Sequence, residues 1–143
     1  LYFKAQEFGA AKKELEAYRD KIVEQGGDAT YANVRYATAL YLIKKYDDAV
    51  TAFENVMKDS TSFVLQRLYA YSMAETEQFE KAKPAIDKFF TMVPEDMIIA
   101  KDYAYKGRIY YKTGNLDEAI KAYDNAIEME APVQGMYKDL YEI

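Results

Sequence analysis

One short pattern recurs four times along this 143-residue chain and constrains its fold more than any other feature. The clearest copy is "LDEAIKAYDNAI" at 116–127, where an alanine is followed at helical spacing by an aromatic and a small residue. The anchoring alanines are Ala11, Ala49, Ala82 and Ala119, at intervals of 38, 33 and 37 residues. A period in the mid-thirties, with helical patterns throughout and no strand-type alternation, indicates stacked helical hairpins. The sequence therefore predicts an all-α fold.

A tight turn precedes the clearest copy of the pattern. Gly114 suits the left-handed conformation that ends many helices, and Asn115 can bond nearby backbone amides. Asp117 and Glu118 then place negative charge in the first turn of the next helix, where it stabilises the helix dipole. We therefore interpret these carboxylates, like the pair at 47–48, as helix-start residues rather than an acid/base site.

Composition excludes several classes of site. The chain has no histidine and no cysteine, so histidine-based triads, histidine-ligated zinc, thiolate metal sites and disulfides are all excluded. Gly26-Gly27 is read as a helix stop, since no phosphate-binding pattern surrounds it. The net charge of −5 does not favour non-specific attraction to nucleic acid or anionic lipid, and no apolar run is long enough to span a membrane. We predict no enzymatic activity, cofactor or metal, and the sequence indicates no compartment.

The third copy of the pattern is the most complete, and it offers in order Tyr103, Gly107, Tyr110, Gly114, Leu116, Ala119, Tyr123, Ala126 and Pro132. With this repeat as the best match, the chain resembles the tetratricopeptide repeat family along essentially its whole length. The resemblance implies a right-handed superhelical solenoid of antiparallel helix hairpins. It also implies that Gly107 and Ala119 are points of close approach between the two helices of a hairpin.

The phase of the pattern divides the chain into repeats. We expect complete repeats at 30–62, 63–97 and 98–132, a partial repeat at 1–29 and the start of a further helix at 133–143. Residues 1–6 read as the end of one helix, followed by a long helix from about residue 9 that stops at 25–27. Pro94-Glu95-Asp96 is predicted to be the first turn of a helix that reaches Thr113.

Several residues depart from the family's pattern. Asn33 and Gln66 stand where the family usually has a large aromatic residue, and Lys106 where it usually has leucine. Lys44 and Glu77 replace the glycine of the intra-repeat turn. The lysine–asparagine clamp by which some members grip a terminal carboxylate is not expected here.

The resemblance implies that first helices line a concave surface, and the charges divide accordingly. The predicted first helices carry seven basic and two acidic residues, whereas the second helices carry five lysines and ten acids. An acidic chain is thus predicted to have a basic inner lining. The candidate partner-binding residues on that lining are Tyr31, Arg35, Thr38, Tyr41, Arg67, Tyr71, Lys101, Tyr105, Arg108, Tyr111 and Lys112.

These features favour a non-enzymatic module that holds a segment of a partner protein or peptide in its concave groove, and the basic lining favours an acidic segment. An alternative is a structural or self-associating spacer of a longer solenoid. End-to-end association is predicted from apolar residues near the termini: Leu1, Tyr2, Phe3, Met136, Tyr137, Leu140 and Tyr141. Binding of single-stranded nucleic acid through tyrosines and arginines is disfavoured by the net charge.

Overall fold

The computed structural model describes residues 5–58, 60–129 and 139. Helices account for 82% of these residues and no strand occurs among them, which confirms the all-α prediction. The described helices are α1 (Ala5–Glu24), α2 (Ala29–Leu42), α3 (Tyr46–Met57), α4 (Phe63–Glu75), α5 (Phe79–Met92), α6 (Ala100–Lys112) and α7 (Leu116–Glu128). A short 3-10 turn, Glu95–Met97, separates α5 from α6.

The helices belong to two compact units, Leu1–Thr61 and Ser62–Ile143. In the first unit α2 packs against α3, and α1 packs against α2. In the second unit α4 packs against α5 and α6 against α7, while α6 also contacts both α4 and α5. One hairpin therefore falls in each of the three ranges expected to hold a complete repeat, although α2 begins one residue early, at Ala29.

The recurring pattern forms the buried stripe of each second helix. All but one of its members on α3, α5 and α7 are buried, and Val56 near the end of α3 is half-buried. The buried members are Ala49, Phe53, Ala82, Ile86, Phe89, Ala119, Tyr123 and Ala126. The alanines let the first helix of the hairpin approach closely, and the larger side chains fill the space on either side. The hydrophobic period read from the sequence is thus the hydrophobic core of each hairpin.

Gly107 is a point of close approach between α6 and α7. A Cβ atom built there would lie 2.5 Å from Cδ1 of Tyr123, well inside van der Waals contact. The expected close approach at Gly107 is confirmed. Its nearest neighbour is the ring of Tyr123 rather than Ala119, which is itself fully buried.

Helices α1, α2, α4 and α6 end in the same hydrogen-bonded turn. In each, the amide two residues past the C-cap donates to a carbonyl five residues earlier, at 2.8–2.9 Å. This is the Schellman motif, which requires a left-handed residue just after the C-cap. The left-handed residues are Gly26 (φ 81°), Lys44 (φ 64°), Glu77 (φ 59°) and Gly114 (φ 82°).

Lys44 and Glu77 adopt the conformation of the glycine that they replace. A side chain in the left-handed region brings its Cβ close to the following carbonyl, at a cost of about 1–2 kcal/mol. The Schellman hydrogen bonds and the packing of the two helices hold both residues there. The turn is therefore specified by the hairpin, even where the local sequence disfavours it.

Two predicted helix boundaries are wrong. No break separates residues 5–6 from residue 9, because α1 is continuous from Ala5 and nothing at Gly9 forces a turn. Pro94–Asp96 does not begin α6 either. The 3-10 turn is followed by extended Ile98 and Ile99, and α6 starts at Ala100. The physical reason is Asp102, whose Oδ2 accepts the amide N–H of Ile99 at 2.9 Å and so fixes the helix start there.

Candidate protein-binding surface

A buried carboxylate joins α4 to α6. The Asp102 side chain is 0% exposed, and both of its oxygens accept hydrogen bonds from Arg67: Nε at 2.8 Å and Nη2 at 2.9 Å. The hydroxyl of Tyr71 donates to Oδ1, and the amide of Ile99 donates to Oδ2. A buried charge is tolerated only when it is paired and hydrogen-bonded, and all four bonds meet that requirement here.

Arg67 makes all of these hydrogen bonds inside its own unit. Its Nη2 also donates to the carbonyl of Met97 at 3.0 Å, so the guanidinium ties α4 to the segment before α6. Burial alone would lower the pKa of Arg67, but the hydrogen bonds and charge of Asp102 outweigh that effect and raise the pKa. Arg67 therefore stays charged and stays paired with Asp102.

A pair of stacked tyrosines continues the contact along α4 and α6. The rings of Tyr71 and Tyr105 lie 4.0 Å apart at 17°, and Tyr71 is only 2% exposed. The Tyr105 hydroxyl donates to Oε1 of Glu75 at 2.6 Å, and Nη1 of Arg108 lies 3.4 Å from the same oxygen. We call the strip that contains these residues the α4–α6 surface. It consists of Arg67, Tyr71 and Glu75 of α4 and of Lys101, Asp102, Tyr105, Arg108, Tyr111 and Lys112 of α6.

Cationic side chains lie over the tyrosines of this surface. Nζ of Lys101 is 5.5 Å from the ring centre of Tyr71 and 6.0 Å from that of Tyr105. Nζ of Lys112 is 5.5 Å from the ring centre of Tyr111. Lys101, Tyr105, Arg108 and Lys112 are spaced by four, three and four residues, so they share one face of α6. Lys101 and Lys112 are the exposed members of that face.

The remaining candidates lie on α2 in the first unit. Tyr31 is exposed, and its hydroxyl accepts a hydrogen bond from Nη1 of Arg35 at 3.0 Å. The hydroxyl of Thr38 donates to the carbonyl of Val34 at 2.8 Å, so it turns back on its own helix. Tyr41 makes an edge contact with Tyr46, with ring centres 5.7 Å apart. Arg35 is thus the exposed cation of this group.

The structure shows a pairing that reasoning from the sequence did not find. The sequence placed Arg67 and Arg108 on a basic lining opposed by Asp102 and Glu75, whereas in the structure these acids bind the two arginines directly. The sequence feature that could have indicated this pairing is that Asp102 and Glu75 are the two acids in the predicted first helices, whose other charged residues are basic. The period of the repeat did not reveal their partners, which lie 35 and 33 residues away in the chain.

Two departures from the family's pattern find partners inside the second unit. The side-chain amide of buried Gln66 donates to the carbonyl of Ala85 at 3.0 Å, which links α4 to α5. Nζ of Lys106 lies 4.9 Å from the ring centre of Phe90 and 5.5 Å from that of Tyr110. Gln66 thus links the two helices of one hairpin by a hydrogen bond, whereas Lys106 packs on aromatic rings of α5 and of its own helix α6.

Within the described ranges, no cluster of three or more acidic, histidine or cysteine side chains is arranged to hold a metal ion. In the same part of the chain, no helix is long and apolar enough to cross a membrane. The apolar residues expected to drive end-to-end association, at 1–3 and at 136–141, lie outside the described residues.

Comparison with known proteins bears on the repeat directly. The family model for the tetratricopeptide repeat matches residues 100–130, which span the α6–α7 hairpin. A TPR repeat-containing protein of Methanocaldococcus jannaschii is 28% identical over 103 residues, 71% of this chain. These matches support assignment of the chain to the tetratricopeptide repeat (TPR) family. It spans 18% of the length of that relative.

Solved structures of similar fold include further TPR proteins. The C-terminal part of a TPR repeat-containing protein from Cytophaga hutchinsonii aligns with a TM-score of 0.64 and 26% identity, over 67% of this chain and 38% of that chain. MamA from Desulfovibrio magneticus aligns with a TM-score of 0.60 and 18% identity, over 83% of this chain and 75% of that chain. At 18% identity, the likeness to MamA concerns the fold alone.

Proposed function

We propose that this TPR chain is a non-catalytic scaffold that binds a segment of a partner protein on the α4–α6 surface. Membership of the family supports a protein-interaction role in general. The observation that carries the specific proposal is the α6 face on which Lys101, Tyr105, Arg108 and Lys112 follow one another. Aromatic rings flanked by cations suit a ligand with apolar side chains between carboxylates.

The residues of this surface have two different roles in the proposal. Lys101 and Lys112 are exposed and contact the partner's carboxylates. Arg108 is 36% exposed and 3.4 Å from Glu75, a long contact that leaves the guanidinium room to turn toward a ligand. Arg67 and Tyr71 hold the surface in shape from beneath, because their polar groups are already bonded to Asp102.

A second contact for the same kind of ligand is proposed on α2. Arg35 is exposed beside Tyr31, which repeats in the first unit the combination of a cation and an aromatic ring. Recognition by solvent-exposed lysines and arginines depends on charge and is screened by salt. The predicted ligand is therefore an acidic, partly apolar protein segment that binds weakly and with marked salt sensitivity.

The test begins with a pull-down that identifies a partner and continues with calorimetry on the purified pair. Lys101→Ala and Lys112→Ala should each weaken binding by about tenfold, the value of one hydrogen bond to a charged group. Lys88→Ala, at an exposed lysine of α5, is the matched control and should have little effect. Equal losses in all three variants, or an affinity that 0.5 M salt leaves unchanged, would rule out this surface as the binding site.

A further inference from the structure

The two arginine–carboxylate pairs of the α4–α6 surface differ in how tightly they are held. Asp102 is fully buried and accepts hydrogen bonds from two nitrogens of Arg67, at 2.8 and 2.9 Å. Glu75 accepts one nitrogen of Arg108 at 3.4 Å, and the two side chains of this pair are 28% and 36% exposed. A long contact through a single nitrogen, open to water, contributes little to stability and separates readily. The Glu75–Arg108 pair is therefore the exchangeable one.

Glu75 also accepts a hydrogen bond from Tyr105. The Tyr105 hydroxyl donates to Oε1 at 2.6 Å, so a phenol O–H and a guanidinium N–H converge on the same carboxylate oxygen. The Tyr105 ring is held by stacking on Tyr71, and the guanidinium of Arg108 lies 5.6 Å from the ring centre of Phe79. Two donors that are positioned by packing and directed at one point form a receptor for a carboxylate.

Helix stability does not explain the carboxylate at residue 75. Glu75 is the last residue of α4, where a negative charge opposes the helix dipole. Asp102, the other acid of the predicted first helices, is required by the guanidinium of Arg67. The carboxylate of Glu75 is accounted for instead by its contact with the two donors of α6.

We propose that Tyr105 and Arg108 form a binding site for one carboxylate of the partner, and that Glu75 is an internal competitor for this site. The inference rests on the proposed binding of an acidic segment to the α4–α6 surface, and it assigns one acid of that segment to a specific pair of donors. The incoming carboxylate accepts the Tyr105 hydroxyl and pairs with the Arg108 guanidinium. The displaced carboxylate of Glu75 turns into water. Because this displacement precedes binding, Glu75 lowers the affinity for acidic ligands.

The probe is a fluorescein-labelled decapeptide of alternating glutamate and leucine. In an extended peptide, alternate residues lie about 7 Å apart on one face. Arg108 and Lys112 lie one turn apart on α6, about 6 Å along its axis. Two successive glutamates of the probe thus match the spacing of these two cations. Binding to the full 143-residue chain is measured by fluorescence anisotropy.

A glutamine in place of the competitor is the decisive variant. Glu75→Gln should tighten binding of the probe by about threefold to fivefold, the gain expected when a partly exposed ion pair no longer has to separate first. Glu77→Gln is the matched control, because it removes the same charge at an exposed position two residues away, and it should change the affinity by less than about twofold. In an Arg108→Ala background, Glu75→Gln should have no effect. Urea unfolding of each variant checks that the chain is folded.

Three results would overturn the proposal: an unchanged affinity in Glu75→Gln, an equal gain in Glu77→Gln, or a gain that persists in the Arg108→Ala background. Lysine variants separate this proposal from the previous one. If Lys101→Ala and Lys112→Ala weaken binding while Glu75→Gln has no effect, the α4–α6 surface stands and the internal competitor does not. If Glu75→Gln tightens binding and neither lysine variant changes it, the carboxylate site stands and the proposed lysine contacts do not. Failure of the probe to bind either the unmodified chain or Glu75→Gln would reject both.

Discussion

Replacing Asp102 by alanine should destabilise the second unit by about 3–5 kcal/mol, the cost of removing one partner of a buried ion pair. The substitution leaves the guanidinium of Arg67, only 15% exposed, without its carboxylate. It also removes the acceptor of the Tyr71 hydroxyl and of the Ile99 amide. The assay is urea-induced unfolding followed by circular dichroism at 222 nm, with an unchanged slope in urea as the sign that the folded state is otherwise intact.

A double-mutant cycle tests the physical cause of that loss. Arg67→Met alone leaves Asp102 buried with fewer partners, whereas Arg67→Met with Asp102→Ala removes both charges together. If the cost comes from an unpaired charge, the double variant should be no less stable than Asp102→Ala alone. Hydrogen exchange at the Ile99 amide should accelerate in both variants that lack the carboxylate. A loss below 1 kcal/mol for Asp102→Ala, or costs of the two single variants that simply add, would refute the reasoning.

Three further predictions concern the hairpins. Lys44→Gly and Glu77→Gly should each stabilise the chain by about 0.5–1 kcal/mol in urea unfolding, because relief of left-handed strain exceeds the entropy that glycine adds to the unfolded chain. Gly107→Leu should cost about 1–3 kcal/mol by overpacking the Tyr123 ring, whereas Lys121→Ala, at an exposed site on α7, should be close to neutral. Burial and a carboxylate hydrogen bond raise the pKa of Tyr110 above the value near 10 of an unfolded chain, so its contribution to stability is complete below about pH 10 and is lost as the pH rises further. Urea unfolding at pH 9 and pH 11 should therefore show a smaller loss of stability for Tyr110→Phe than for the unmodified chain.

Each of these predictions has a contrary result. Gly114→Ala, at φ 82° in the same turn, should destabilise the chain, and stabilisation there would contradict the strain argument. Equal shifts for Gly107→Leu and Lys121→Ala would show that α6 and α7 do not approach closely at Gly107. An equal loss of stability above pH 10 with and without the Tyr110 hydroxyl would contradict the assigned role of its pKa.

The hairpins were predictable from sequence because their core is periodic. The stripe on α7, from Ala119 to Ala126, has the spacing of a helix face, and that spacing depends only on neighbouring residues. The turns at Lys44 and Glu77 were located by their phase relative to Gly114, although neither residue favours the conformation it adopts. A repeated pattern therefore located features that local propensity alone would have placed elsewhere.

The start of α6 and the partners of the arginines were not predictable in the same way. Pro94 followed by two acids is a favourable helix start on local grounds, but Asp102 moves the start to Ala100 by accepting the Ile99 amide. That effect depends on Arg67, which is 35 residues away and makes a buried carboxylate tolerable. Side chains that pair between different helices leave no trace in the period of the pattern, so only the structure reveals them.

For the proposed function, the internal ion pairs determine what kind of ligand the α4–α6 surface would select. Arg67 donates two hydrogen bonds to Asp102, and Arg108 contacts Glu75. The exposed cations of this surface are therefore Lys101 and Lys112. An ammonium group acts as a compact point charge and does not impose the planar geometry of a guanidinium on its carboxylate. The proposed specificity then rests on the spacing of acids along the partner segment and on the Tyr105 and Tyr111 rings between them. Replacing Lys101 by arginine should consequently preserve binding, while moving an acidic residue of the ligand by one position should weaken it.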